Sequence, residues 1–397
     1  MKKTISFFFM FLLMINILTG CWSRKELNEL AIATALGIDK TEDGYLVSVQ
    51  ILNPGEIAGK GSTGRTEVVR FMKSGDTVFE AIRKISTDSP RKIYVAHLRE
   101  VVIGEELASE GIGKVLDILS RDHEMRTDFY ITVAKGSTAS DILNVQTALE
   151  KVPANKLFDA LENSEKNWAP TKTVSLDELI SSIVSKGKEP ILTGIYLYGD
   201  PETGSNFKNV QDVSPETGLR IDSIGVFKSD KLVGWLNTNE SKGFNYATDN
   251  VSSTIVNVPC EDGKISIETI RSKTKVKGKM EKGKPKIEIN VSSEGNVGDV
   301  QCKVDLSKEE TIKEIEDKYK NEIKDEIEAV IKKVQEDYQS DIFGFGEVIH
   351  RTDPKAWKRI ETNWDQEFES LEVSVKVKAK IRRLGTITES FQKEIEE

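Results

Sequence analysis

SKEETIKEIEDKYKNEIKDEIEAVIKKVQEDY, residues 307–338, is the stretch whose pattern decides the fold. Ile312, Ile315, Tyr319, Ile323, Ile327, Val330, Val334 and Tyr338 recur at steps of three and four, with Lys and Glu on the faces between them. That spacing puts the apolar side chains on one stripe of an α-helix of about eight turns. Ser307 stands at a candidate N-cap with Glu310 three residues on, the pattern of a capping box. Downstream, LEVSVKVKAKI (371–381) alternates strictly. Leu371, Val373, Val375, Val377, Ala379 and Ile381 face one way, and Glu372, Ser374, Lys376, Lys378 and Lys380 the other, as in a strand with one buried face. Upstream, 264–270, 274–279 and 286–291 read as short alternating strands, the last two joined by the turn EKGKPK. The expectation for 253–397 is an antiparallel sheet packed with one long amphipathic helix.

The earlier chain mixes both element types. Residues 25–38 (KELNELAIATALGI) fit either a helix or a strand. Strands are expected at 45–52, 68–72, 93–103 and 129–134. Helices are expected from Asp76, with Val78, Ala81, Ile82 and Ile85 at helical spacing, and over 105–120, broken near Gly111 and Gly113. A helical section spans 140–186, with Pro153 and Pro170 as breakers. A strand follows at 191–198, a polar excursion at 199–220, and a hairpin at 221–236 that turns at Ser229-Asp230. Phe227 and Trp235 cover one face of that hairpin. The fold class is α+β with three mixed domains: 21–148, 149–252 and 253–397.

Residues 1–20 have the parts of a secretory signal. Lys2 and Lys3 are its positive end, and ISFFFMFLLMINIL (5–18) its apolar run. The run is shorter than the roughly 18–20 residues that span a bilayer. Leu18-Thr19-Gly20-Cys21 fits a lipoprotein cleavage site, which makes Cys21 the first mature residue and the carrier of a diacylglyceryl group. Two acyl chains hold a protein on a membrane where one does so only marginally. An uncleaved anchor helix and plain secretion with a spare thiol are the alternatives.

The chain has 56 basic and 65 acidic residues, a net charge of −9. Without Lys2 and Lys3 this becomes −9 − 2 = −11. An acidic body is a poor partner for nucleic acid. Nor is it expected to lie on an anionic membrane by charge alone, so attachment falls to the lipid and to protein partners. Export permits a disulfide between the remaining cysteines, Cys260 and Cys302, which flank paired strands. Two separate thiols are the other reading.

A search for chemistry finds little. Gly59-x-Gly61-x-x-Gly64 matches the dinucleotide fingerprint in letters, but residues 66–72 (TEVVRFM) read as a strand where that fingerprint needs a helix start. His97, His123 and His350 have no metal-binding spacing. The cluster RDHEMRTD (121–128) alternates in charge and reads as a solvated, ion-paired loop. Phe343, Phe345, Trp357 and Trp364 read mainly as a plug at the end of the long helix, with Gly344 and Gly346 allowing the turn.

Several stretches together resemble one family. They are CWSRKELNELAIATALGIDK (21–40), SRDHEMRTDFYITVA (120–134), IGVFKSDKLVGWL (224–236), 341–364, and the closing VKVKAKIRRLG. They look like the C subunit of the nutrient germinant receptors of spore-forming bacteria, the Ger(x)C family. The resemblance implies a lipoprotein lipidated at Cys21, on the outer face of the cell membrane and, in spores, of the inner membrane. It implies A and B membrane subunits as partners, three α+β domains, no catalytic activity and no cofactor beyond the lipid. Cys260 and Cys302 are not part of the family pattern. Two other functions compete: an exported lipoprotein that binds the nutrient itself, and a cell-wall enzyme. The grouping of strands with strands argues against the first, and the missing catalytic constellation against the second.

Overall fold

A computed structural model describes Thr4, Ile5, Phe7 and residues 26–58, 64–261 and 263–384. The expected leader as a unit, Cys21, Gly59 and Gly61 lie outside the described residues.

The ambiguous segment is a strand, β1 (Leu30–Thr41), and it lies in the middle of a nine-stranded sheet. A strand covered on both faces is apolar or small on both, so it shows no period of two. Strands β2 (Gly44–Leu52) and β3 (Val68–Gly75) extend the sheet antiparallel on one side of β1. The short β4 (Lys92–Tyr94) and then β5 (Glu100–Gly104) both lie parallel to β1. Residues 93–103 are therefore two strands, because Val95–Arg99 loops out where β4 leaves β1 and β5 rejoins it. Strands β6 (Tyr130–Lys135) and β7 (Ile191–Tyr198) continue the parallel run. The hairpin β8 (Gly218–Lys228) and β9 (Lys231–Trp235) closes the sheet, turning at Ser229-Asp230. The expected 148/149 boundary falls between β6 and β7, which are paired neighbours in this sheet.

Helices cover both faces. The short α1 (Pro54–Ala58) follows β2, and on one face lie α2 (Val78–Lys84), α3 (Glu105–Glu110) and α4 (Gly113–Arg121). Of these, α2 to α4 bury Val78, Ala81, Leu107 and Leu116 in the larger core. On the other face α5 (Ala139–Asn144) and α6 (Pro153–Asn167) bury Ala139, Ile142, Ala154 and Leu157. Pro153 opens α6 at its first turn, where its missing N–H costs nothing. Helix α7 (Leu176–Val184) carries a full capping box at Ser175 and Glu178, and the polar excursion holds the short α8 (Pro201–Ser205).

The second sheet has the order β10 (Thr254–Cys260), β11 (Gly263–Glu281), β12 (Lys284–Val300), β13 (Glu372–Arg383). Strand β11 is one continuous strand where two were expected, because a bulge between Thr269 and Arg271 absorbs the break in alternation. The sheet is mixed and not purely antiparallel: β13 runs parallel to β12. The cause is the connection, since a long helical crossover returns the chain in the same direction and a hairpin would reverse it. That crossover contains the long helix, α10 (Glu309–Lys333), which follows α9 (Thr238–Ala247) in the chain order of helices. Ile315, Tyr319, Ile323, Ile327, Val330 and Val334 are all buried, as their spacing required. Burial of each such side chain stabilises by about 1.5–3 kcal/mol. The capping box does not form: Lys308 occupies the cap position, and the Ser307 hydroxyl donates to Asp305 instead. Under α10 the Tyr319 hydroxyl shares hydrogen bonds with Thr269 (2.7 Å) and Ser293 (2.7 Å). One apolar core runs unbroken from the first sheet through α9 and α10 to the second.

Candidate functional site

The two sheets meet where α10 ends. A π turn (Val334–Tyr338) unwinds the helix, and Gln339 takes a left-handed φ of 50°. The chain then passes Ser340 to Gly344 and enters α11 (Phe345–Thr352), α12 (Pro354–Ile360) and α13 (Trp364–Glu369). Four bonds tie this turn to the first sheet and to the loop that leads into β7. The Tyr338 hydroxyl donates to the Trp235 carbonyl (2.9 Å), and the Ser340 hydroxyl to that of Phe227 (2.6 Å). The Glu189 amide donates to the Asp341 carbonyl (2.8 Å), and the Glu347 amide to that of Gly187 (3.2 Å). A Cβ on Gly187 would lie 2.7 Å from the Glu347 nitrogen and from the Gly346 carbonyl carbon, so only glycine fits this backbone-to-backbone contact.

Asp341 organises the turn. Its carboxylate accepts from the Phe345 amide (3.1 Å), the Gly346 amide (2.9 Å) and the Trp364 indole (3.0 Å). Burial pushes its pKa up to about 6, against those three donors, which pull it down. Across the junction, burial raises Glu189 to about 7, while the Ser229 amide donates to it. Around Asp341 pack Phe343 and Phe345, stacked at 4.8 Å, and Trp357 and Trp364, edge to face at 5.2 Å. Phe345, Trp357 and Trp364 are buried. These aromatics are core, and they fill the end of the helix.

Beside the plug opens a cavity of about 770 Å³. Phe244, Val276 and Phe343 form apolar wall, and Lys188, Glu347 and Arg351 bring charge of both signs. Glu347 is engaged by Arg351 (3.8 Å) and the Ser185 hydroxyl (2.9 Å). Its chemistry suits a small polar molecule with an apolar part. Among the described residues no group of three or more His, Cys, Asp or Glu is placed to hold a metal ion. Among them, too, no helix is long and apolar enough to cross a membrane.

The residues singled out in the sequence land as follows. Cys260 ends β10 and Cys302 follows β12; their sulfurs adjoin and their Cα atoms are 6.3 Å apart, inside the span of about 4.4–6.8 Å that a disulfide bridges. The 121–128 loop is solvated and ion-paired: Arg121 with Asp117 (2.6 Å), Arg126 with Asp128 (2.6 Å), and His123 with a 92% exposed side chain. Gly64 leads into strand β3, so no helix start follows the glycines. Three buried carboxyls were not singled out as such, Asp39, Asp341 and Glu100. Glu100 is fully buried, takes one hydrogen bond from Thr132 (2.5 Å), and has one oxygen without a partner. Burial lifts its pKa to about 8. A lone carboxylate opening the apolar run EVVIG was its only trace in the sequence.

The two sheets are thus joined through a buried aromatic junction and a shared apolar core. Two family models match the chain: the spore germination protein N-terminal domain over 23–197, and the spore germination B3/GerAC-like C-terminal domain over 222–385. Spore germination protein KC of Bacillus subtilis (strain 168) is 33% identical over 384 residues, 94% of each chain. Spore germination protein B3 of the same organism is 26% identical, over 97% of this chain and 99% of its own. The crystal structure of the GerBC protein shares the fold, with a TM-score of 0.54, 20% identity, and coverage of 87% of this chain and 96% of that one. The chain belongs to the spore germination GerAC-like family, the one its motifs resemble.

Proposed function

We propose that this chain is the lipid-anchored, non-catalytic C subunit of a spore nutrient germinant receptor. It assembles with, or gates, the A and B membrane subunits in nutrient-triggered germination. The observation that carries this reading is the order of parts: a leader-like stretch over 1–20, then Cys21, then two spore germination domains over 23–197 and 222–385. Cys21 carries the diacylglyceryl group and holds the body on the outer face of the cell membrane, in spores the inner membrane. Cys260 and Cys302 form a disulfide in that exported location; their placement supports it.

The test is Cys21→Ala. The variant is expected to lose acylation, to leave the membrane fraction, and to fail in nutrient-triggered germination. It keeps only Cys260 and Cys302, so it is also expected to show no free thiol until reductant is added. Full membrane retention with normal germination would refute the tether. A reactive thiol without reductant would refute the disulfide.

The junction cavity favours one other reading, direct capture of a nutrient. Calorimetric titration of the mature chain with amino acids and sugars separates the two. A scaffold gives no saturable heat, whereas a nutrient-binding protein gives micromolar binding.

A further inference from the structure

The outer face of the second sheet, opposite α10, has a charge sign that the whole chain hides. Register places its outward residues in five cross-strand rows: Arg271-Glu294-Lys380, Lys273-Ser292-Lys378, Lys275-Asn290-Lys376, Lys277-Glu288-Ser374 and Lys279-Lys286-Glu372. Nine of these positions are cationic and three are carboxylates, so nine minus three leaves +6 on a chain of net −9. Arg382 adds to it at the bulge, paired with Glu294 (2.6 Å). Some of the lysines are engaged: Lys376 with Glu288 (2.9 Å), Lys286 with Glu372 (2.7 Å), Lys273 with Asp249, and Lys380 with Glu316 (3.0 Å). Among the described residues, Arg271, Lys275, Lys277 and Lys378 have no carboxylate within ion-pair distance. All four are exposed.

Edge strands carry charge to prevent sheet-to-sheet aggregation. That need sets no sign, and mixed charges would meet it equally well. Here cations dominate the outward residues of β11 and β13, while β12 between them sets Lys286 against Glu288 and Glu294. The rows are about 6.6–6.8 Å apart and the strands about 4.8 Å apart, so the charges spread over a sheet face roughly 27 Å long. Four cavities among the described residues, of about 500–770 Å³, are lined by none of the unpaired four. A cationic face with its charges spread over that length matches an extended anionic surface better than a single phosphate or a short acidic peptide. Clustered Lys and Arg are the recognised complement of anionic lipid headgroups, through an attraction that salt screens.

We propose that this face lies against anionic phospholipid headgroups and so fixes how the tethered body is oriented. The choice of a membrane as occupant rests on the tethering reading above. The net acidic charge that argued against a membrane surface applies to the sum and not to this face.

The test uses the mature chain with Cys21→Ser, so that no acyl chain contributes and failure of the tether stays a separate result. It is sedimented with vesicles of equimolar phosphatidylcholine and phosphatidylglycerol, and with phosphatidylcholine alone. Binding is expected only to the anionic vesicles, and it should vanish in high salt. Replacing Lys275, Lys277 and Lys378 together by Gln should weaken it by at least tenfold, at about a factor of ten or less per lysine. The same three changed to Arg should keep it. Gln at Lys313, Lys320 and Lys324 on α10, an equal loss of charge on the opposite side, should leave it unchanged. The proposal fails if the chain ignores anionic vesicles, or if the α10 variant loses as much as the sheet variant. Retention on immobilised polyglutamate without vesicle binding would assign the face to an acidic protein and overturn the lipid proposal.

Discussion

Asp341→Ala is expected to lower the unfolding free energy at pH 7 by about 3 kcal/mol and to loosen the junction between the two sheets. Three donors lose their acceptor: the amides of Phe345 and Gly346 and the indole of Trp364. All are buried, so water does not replace the lost partner. Each orphaned buried donor costs about 1–3 kcal/mol. Relief of a buried carboxylate offsets part of that sum, since the group titrates near 6 and is ionised at pH 7. Trp357 and Trp364 report directly, because both lie in the plug. Urea titration followed by tryptophan fluorescence should show a lower midpoint and a changed native spectrum. Unfolding curves that superimpose on wild type would show that Asp341 does not hold this turn.

Glu100→Gln is expected to stabilise the protein, by an amount that grows with pH. The sign follows from burial. The folded pKa is raised to about 8 from 4.5, so the folded state holds the proton more tightly than the unfolded state does. The acid's favourable term is complete below pH 4.5 and is lost as pH rises from there to about 8. Gln has no proton to lose and does not follow. One pH unit is worth about 1.4 kcal/mol, so the gap between variant and wild type should widen by about 4 kcal/mol between pH 4.5 and 8. Thr132 keeps an acceptor in the variant. Denaturation at several pH values would reveal the widening. Parallel stability profiles for the two proteins over that range would mean that Glu100 is not a buried, neutral acid.

The sequence made the second sheet and its helix legible because each has one wet face. Six of the stripe positions of α10 are fully covered, and β13 alternates as its residues do. The direction of β13 was not legible, since alternation is the same in parallel and antiparallel strands and only the connection decides. Strand β1 stayed ambiguous for the opposite reason, being covered on both faces. Ser307 misled because the capping-box pattern is local, and a closer acceptor, Asp305, took its hydroxyl. Asp341 was invisible as an organiser, for its three donors come from residues up to 23 positions away that only folding brings together. The basic face was half visible in the alternating lysines of β13, but its width needed the register with β12 and β11. Cys21 carries the largest functional claim, and it was read from the sequence alone.

On the proposed reading, a two-sheet body joined through the Asp341 plug is tethered by Cys21 and oriented by its cationic face. On that reading the chain acts through the partners it touches. The most direct test of that claim is affinity capture of the lipidated chain from detergent-solubilised spore inner membranes, with the co-purifying proteins identified by mass spectrometry. A receptor subunit should bring the A and B membrane subunits with it, and keep them through washing. Recovery of the chain without either of them would contradict its place in a germinant receptor.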